Sequence, residues 1–250
     1  MNYINSKALF FKLKISLFLG RENFSVNNKN FFFIKKSIKY LFKEIFLKKT
    51  YYFNTSTSSP IIFDCGANVG LATVYFKSIY PDSKVVTFEA NEKTFNILSS
   101  NLSSYKNITL FQKALVDFEG EVKFFYNKEE TADLGMSINE RYFKDFEIVP
   151  ATKLSNYIEE NVDLLKLDIE GAENLVVNDL INSKKIKFIR QMIVEYHHQD
   201  LKTTSKIGKF INSLEENNFT CHISTEKEEL FISPRQQTFI IYAFNRDFIK

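Results

Sequence analysis

One stretch constrains this chain more than any other: an apolar triplet that runs into a carboxylate and then a glycine-rich turn, Ile61-Ile62-Phe63-Asp64-Cys65-Gly66-Ala67-Asn68-Val69-Gly70. The triplet reads as a strand buried on both faces. The next residues place Leu71, Val74, Tyr75 and Ile79 close to helical spacing, and Pro81-Asp82 ends the run. Glycine suits the turn because it admits backbone angles that a Cβ forbids and lets the main chain approach a ligand. Asn68 stands where a third glycine is often found, and Asn is the next best occupant of a left-handed position.

Lys84 to Phe88 form a second strand that ends at Glu89, 25 positions after Asp64. Strand, turn, helix, strand and acid make one nucleotide-binding βαβ unit, with Glu89 placed to accept from ribose hydroxyls. The spacing is not G-x-G-x-x-G, and no Gly-Lys-Ser/Thr is present for a phosphate loop. An aspartate in the turn repels pyrophosphate and attracts an ammonium. S-adenosyl-L-methionine offers an ammonium, a ribose and a sulfonium, and no phosphate. The Asp64-x-Gly66-x-Asn68-x-Gly70 turn resembles motif I of the class I S-adenosylmethionine methyltransferases.

The rest of the chain alternates in the same manner. A helix is expected over 92–101, a strand over 108–111, an extra strand over 121–126 and a short strand over 148–152. A short helix over 154–158, a strand over 162–167 ending at Asp168, and a helix through Leu175 to Ile181 follow. A strand over 191–194 ends at Glu195-Tyr196-His197-His198, then come a helix over 205–217 and closing strands at 219–224 and 238–244. The fold class is α/β: a doubly wound, mostly parallel Rossmann-like sheet with an N-terminal helical extension. Four strands ending at Asp64, Glu89, Asp168 and Glu195 give a polar rim on the edge where such sheets bind ligands. The loop from Gln112 through Ala114 to Asp117 faces the same crevice, where adenine would lie. Residues 127–147, with Gly135-Met136-Ser137, read as a loop over the site.

Residues 60–250 are taken as the catalytic domain and residues 1–59 as a basic, helical extension. The extension carries 11 Lys and Arg against 2 acids, and the remainder 22 against 28, so the net charge of +3 resides in the extension. Nothing in the catalytic part calls for nucleic acid. Helices are expected over 8–19 and 31–48, and 50–59 as a polar linker. Lysines interrupt every apolar run well short of a membrane span, and no secretory cleavage site follows. The extension either packs on the domain or rests a basic amphipathic face on anionic lipid. Only Cys65 and Cys221 are present, so no disulfide framework is implied and a reducing, cytoplasmic setting fits. Cys65 is read as a small apolar turn residue rather than a nucleophile, and His222 as an ordinary strand residue.

Asp64-x-Gly66-Ala67-Asn68-x-Gly70, Phe88-Glu89-x-Asn91, Ala114-Leu115, the run Leu165-Lys166-Leu167-Asp168-Ile169-Glu170-Gly171-Ala172-Glu173 and Val194-Glu195 together resemble the FkbM family of methyltransferases. The resemblance covers residues 60 to about 200 and leaves the extension outside. It implies O-methylation of a sugar or polyketide hydroxyl in glycan or natural-product pathways, the acceptor here being a sugar or glycan, lipid-linked ones included. By the same resemblance Asp64, Gly66, Ala67, Asn68 and Gly70 hold the methionine part, Glu89 with Ala90 and Asn91 the ribose, and Gln112 and Ala114 the adenine surround, with Asp168 a further cofactor-binding residue.

Catalysis then needs alignment of an oxygen behind the methyl, worth about 7 to 11 kcal/mol, and removal of its proton. Asp168 and Glu195, ending adjacent strands, are the candidate bases, with His197 or His198 as rivals. A competing reading joins Asp168, Glu170 and Glu195, with His197, as oxygen-rich ligands of a divalent metal. Glu170 and Glu173 also suit the N-terminus of the following helix. Alternatives for the whole chain are an N- or protein methyltransferase, or a non-catalytic nucleoside-binding scaffold in glycan assembly.

Overall fold

The computed structural model describes residues 5–26, 29–33, 35–127, 136–140, 143–198, 206–224 and 237–248. The extension folds as α1 (Ser6–Phe18), an antiparallel hairpin of β1 (Asn23–Val26) and β2 (Lys29–Phe32), α2 (Lys35–Phe42) and a π-helical segment (Lys43–Lys48). The hairpin corrects the expectation of one helix over 31–48. Phe31, Phe32 and Phe33 alternate buried, exposed, buried, which is the period of a strand. The outer edge of β2 is satisfied by one side chain: Phe32 N donates to Asn101 Oδ1 (2.7 Å), and Asn101 Nδ2 donates back to Phe32 O (2.9 Å) and to Val69 O (2.8 Å).

The large sheet uses β3 (Ile61–Cys65), β4 (Lys84–Phe88), β5 (Ile108–Phe111), β9 (Leu164–Leu167), β10 (Gln191–His198), β11 (Phe219–Ser224) and β12 (Gln237–Asn245). A small second sheet is built from β6 (Ala114–Val116), β7 (Gly120–Phe125) and β8 (Phe146–Lys153). In the large sheet the order is β11-β12-β10-β9-β3-β4-β5. β10, β9, β3, β4 and β5 run parallel, and β12 pairs antiparallel with both β10 and β11. Helices α3 (Leu71–Ile79), α4 (Glu92–Leu102), α5 (Glu173–Asn182) and α6 (Ile207–Glu216) make the connections. Every residue of β9 is buried, as a central parallel strand requires. Between β3 and β9 the winding of the sheet reverses, and the crevice beyond their carboxyl ends is the ligand position of such sheets.

Two readings of the rim change. Glu195 lies inside β10 opposite Ile240, because the pairing with β12 carries that strand on to His198. Ala114 to Val116, expected in a loop, form β6 parallel to β8. The closing strands and the elements over 92–102, 120–125 and 146–157 lie within a few residues of their expected places.

One apolar cluster joins the extension to the sheet, with Leu13, Phe24, Phe42 and Phe46 packed with Val69, Leu71, Val74 and Tyr75. Phe42 stacks on Phe46 (4.7 Å between centroids), and Phe46 meets Tyr75 edge-on (5.3 Å). Full burial of each such ring is worth about 1.5–3 kcal/mol. The other cluster sits under α5 and α6, around Leu165, Leu180, Phe210 and Phe219. Residues 50–59 are not a free linker, since Tyr51 and Phe53 are buried. Among the described residues no helix is long and apolar enough to cross a membrane.

Candidate functional site

The turn after β3 takes the left-handed angles its residue types foretold, with φ of 79° at Gly66, 49° at Asn68 and 91° at Gly70. Gly66 N and Ala67 N both donate to Phe88 O (3.0 and 2.9 Å), which pins the turn to the end of β4. Asp64 is completely buried beneath it. Its Oδ2 accepts from Thr73 Oγ1 on α3 (2.7 Å), and its Oδ1 lies 3.1 Å from Lys166 Nζ. Asp64 therefore shapes the turn from behind and forms no part of the cavity wall.

Lys166 comes up from β9 with 2 % of its surface exposed and reaches Gly66 O (2.8 Å) and Asp168 Oδ2 (3.6 Å). Burial alone would lower its pKa, but Asp64 and Asp168 outweigh burial and hold it above the usual lysine value. The ammonium thus ties β3 to β9 across the switch point. Sequence reasoning passed over it, although a lysine within an otherwise apolar buried strand was the available signal.

The cavity lies over this turn. It is walled by Leu41 and Ile45 from the extension, by Phe88, Glu89, Ala90, Lys113 and Leu115 from the sheet edge, and by Met136 and Asp168 to Glu170. Its empty volume is about 850 Å³ with its open mouth included, enough for a nucleoside-sized ligand. Glu89 is buried, and its carboxylate accepts from Asn68 N and Asn91 N (3.0 Å each). Burial pushes its pKa up to about 7, against the pull of those amides. Asn91 is the N-cap of α4, accepting from Thr94 N (3.0 Å), and Gly70 packs on Leu98, so neither lines the cavity. In the adenine region the alternation of β6 brings Leu115 to the cavity together with Lys113, and leaves Gln112 and Ala114 off its wall.

At the other end Tyr51 descends from the extension. Its hydroxyl lies 3.2 Å from Asp168 Oδ2 and 3.1 Å from Glu195 Oε2, so the two carboxylates expected as neighbours share one phenol. Burial, then Asp168 and Glu195, raise the Tyr51 pKa well above its ordinary value, and the phenol stays a donor. Burial and Asp168 likewise raise Glu195. Tyr51 was missed because the run Tyr51-Tyr52-Phe53 opens a polar stretch with no helical or strand period.

His197 completes the group. Its Nδ1 lies 2.8 Å from Glu173 Oε1, and its Nε2 lies 3.3 Å from Glu170 Oε2 and 4.0 Å from Asp168 Oδ1. Burial would lower the imidazole, but Glu170 and Glu173 outweigh it and hold the pKa well above the usual histidine value. Glu173 also accepts from Gly171 N (2.8 Å), so it serves both the start of α5 and the histidine. Glu170 itself sits at a φ of 54° and is anchored through its carbonyl by Ser137 Oγ.

Met136 and Ser137 place part of the expected loop at the site, while Gly135 and the His198 side chain lie outside the described residues. Cys65 is buried, and burial and Asp64 push its thiol up, away from nucleophile chemistry. His222 is an exposed residue of β11.

Comparisons with known proteins identify the family. The family model for the methyltransferase FkbM domain matches residues 64–221. The chain is 27% identical to methyltransferase sdnD of Sordaria araneosa over 64% of its own length and 75% of that protein's. It is 28% identical to methyltransferase 1 of Beauveria bassiana over 58% of its own length and 68% of the relative's. Among solved structures, methyltransferase FkbM from Methylobacillus flagellatus KT superposes with a TM-score of 0.50 at 13% identity. That match takes in 77% of this chain and 45% of the other, so the chain spans less than half of that molecule, and the likeness speaks to fold alone.

Proposed function

Because the chain belongs to the methyltransferase FkbM family, we propose that it uses S-adenosylmethionine to methylate a hydroxyl of a sugar or glycan, with lipid-linked glycans among the acceptors. The observation that carries the reading is the ionic character of the cavity. Gly66 N and Ala67 N are committed to Phe88 O, and the wall presents Glu89, Asp168 and Glu170, while Lys166 is held by Asp64 and Lys113 donates to the Tyr157 hydroxyl (3.0 Å). Such a wall repels pyrophosphate and suits a ligand with an ammonium, a sulfonium and a ribose. Glu89 takes the ribose hydroxyls, Asp168 and the Gly66 to Asn68 backbone the methionine end, and Ala90, Lys113 and Leu115 surround the base.

When bound, this cofactor supplies a methyl on a sulfonium that departs as a neutral thioether. Glu195 accepts the acceptor proton, since it touches the neutral Tyr51 phenol, whereas Asp168 is held by Lys166. His197 is engaged by Glu173 at Nδ1 and by Glu170 at Nε2, which argues against it as the base. Tyr51 and Asp168 orient the hydroxyl. The outer face of α1 exposes Phe11, Ile15 and Phe18 beside Lys7, Lys12 and Lys14. That basic and apolar surface supports an acceptor presented at an anionic membrane.

Calorimetric titration tests the cofactor. S-adenosylhomocysteine is expected to bind and NAD⁺ not to bind; the reverse result ends the proposal. The ionised form of Glu89 is the one that accepts from ribose, so affinity should rise roughly tenfold between pH 6 and pH 8. Glu89→Gln should abolish that pH dependence and weaken binding about 10- to 100-fold through lost charged hydrogen bonds. In the empty protein the folded chain retains on Glu89 a proton that the unfolded chain releases above about pH 4.5. Its contribution to stability therefore falls as pH rises from 4.5 to 7.

Mass spectrometry of lipid-linked and free glycans from a deletion strain tests the acceptor, with a loss of about 14 Da expected on one sugar. Unchanged glycans would remove the sugar acceptor. A second reading, methylation of an amine, draws support from the same carboxylates, which suit a protonated nitrogen; it predicts the 14 Da loss on a nitrogen-bearing fragment.

A further inference from the structure

Within that site one group of side chains converges on a single point. Asp168, Glu170 and His197 each offer one donor atom, and the three donors lie within 4.8 Å of one another. The arrangement is more than a patch of acids. The imidazole is sealed, with 3% of its side chain exposed, while the two carboxylates, at 23% and 22%, open toward the cavity. Glu173 stands behind the ring, and its only described ionic partner is His197. Its Oε1 takes Nδ1 of the imidazole, and its Oε2 is buried with no hydrogen-bond partner.

A carboxylate fixed to one ring nitrogen selects the tautomer and aims the other nitrogen, the second-layer arrangement found behind metal-binding histidines. Here that other nitrogen, Nε2, points between Asp168 Oδ1 and Glu170 Oε2. Nitrogen and oxygen ligands 2.0–2.2 Å from a small divalent ion lie about 3–3.5 Å apart. The observed 3.3 and 4.0 Å from Nε2, with all three donors inside 4.8 Å, require the two carboxylates to close inward on the ion.

We propose that Asp168, Glu170 and His197 bind a divalent cation of the Mn²⁺ type, positioned by Glu173 and open on the cavity side to two neighbouring oxygens of the acceptor. Two oxygens and one imidazole form a hard-to-borderline donor set that suits Mn²⁺ and disfavours thiophilic ions. Asp168 and Glu170 line the cavity, and the Tyr51 hydroxyl joins Asp168 to Glu195 beside them. The acceptor class then narrows to molecules with adjacent oxygens, such as a vicinal diol, one of which the ion acidifies. In the transfer the ion-bound hydroxyl gives its proton to Glu195, its oxygen takes the methyl, and the carbon–sulfur pair leaves on sulfur. The inference rests on the methyltransfer reading for its purpose and stands apart from it in measurement.

The test uses the full chain, stripped with a chelator and titrated with Mn²⁺ alone while the free-ion electron paramagnetic signal is followed. One ion per chain is expected, released by His197→Ala and by Glu170→Gln, the latter a loop change that keeps the fold testable if the former does not. Glu173→Gln should weaken Mn²⁺ about 10- to 100-fold without changing the stoichiometry, a shift that a purely structural role would not give. S-adenosylhomocysteine binding is read in parallel on the metal-free protein. If it fails, the methyltransfer reading falls and the metal result still stands. Absence of saturable Mn²⁺ binding, or binding indifferent to both His197→Ala and Glu170→Gln in folded protein, overturns the proposal.

Discussion

Gly66→Ala is expected to yield a protein that binds S-adenosylhomocysteine at least 100-fold more weakly than the natural chain, or that no longer folds stably. A Cβ at residue 66 would lie 1.7 Å from Asp168 O and 2.8 Å from Asp168 C, both backbone atoms that no rotamer change can move. The residue also sits at a φ of 79°, where a side chain adds strain. Strain of this kind costs about 1–3 kcal/mol, and forcing atoms into a packed space typically another 1–3 kcal/mol. Relief requires β3 and β9 to separate at the switch point, which moves Asp168 and the turn together and dismantles the cavity floor. Thermal unfolding followed beside calorimetry separates the two losses. A variant with unchanged melting and unchanged affinity would show that the close approach is not maintained in solution.

Lys166→Met is expected to be the most destabilising substitution of an ionic residue. The methionine fits the space, but Asp64 and Asp168 lose the ammonium that lies 3.1 and 3.6 Å away, and Gly66 O loses its 2.8 Å donor. Removing one partner from a buried ion pair costs about 3–5 kcal/mol, because the remaining charge stays desolvated. Asp64→Asn in the Lys166→Met background should restore part of that loss, since the charge left without a partner is then gone. The double-mutant cycle should show coupling of about 1–3 kcal/mol. Denaturant titration supplies all four stabilities. Simple additivity would mean that Lys166 acts by packing alone.

Legibility in the sequence followed the reach of local physics. The stretch from Ile61 to Gly70 was readable because a buried strand, a left-handed turn and an amphipathic helix each leave a short-range pattern, and β3, the turn and α3 occupy those places. Asp168 and Glu195 could be paired in advance because strand order follows from winding rules. Tyr51 could not, since nothing near residue 51 records that it will meet residues more than a hundred positions away. The hairpin β1–β2 was hidden by three successive phenylalanines, which satisfy a helical face as readily as a strand. The pairing with β1 and the Asn101 amide, distant in sequence, decide between them. Ala114 to Val116 was too short to announce itself before β8 supplied its partner.

The phenol of Tyr51 and the apolar wall from Leu41 and Ile45 come from residues that precede the stretch shared with the family, which begins at residue 64. One cavity is thus closed by residues from two parts of the chain, one inside the family stretch and one ahead of it. Exchange of the leading segment would redraw part of the wall while leaving the glycine turn and the end of β9 in place.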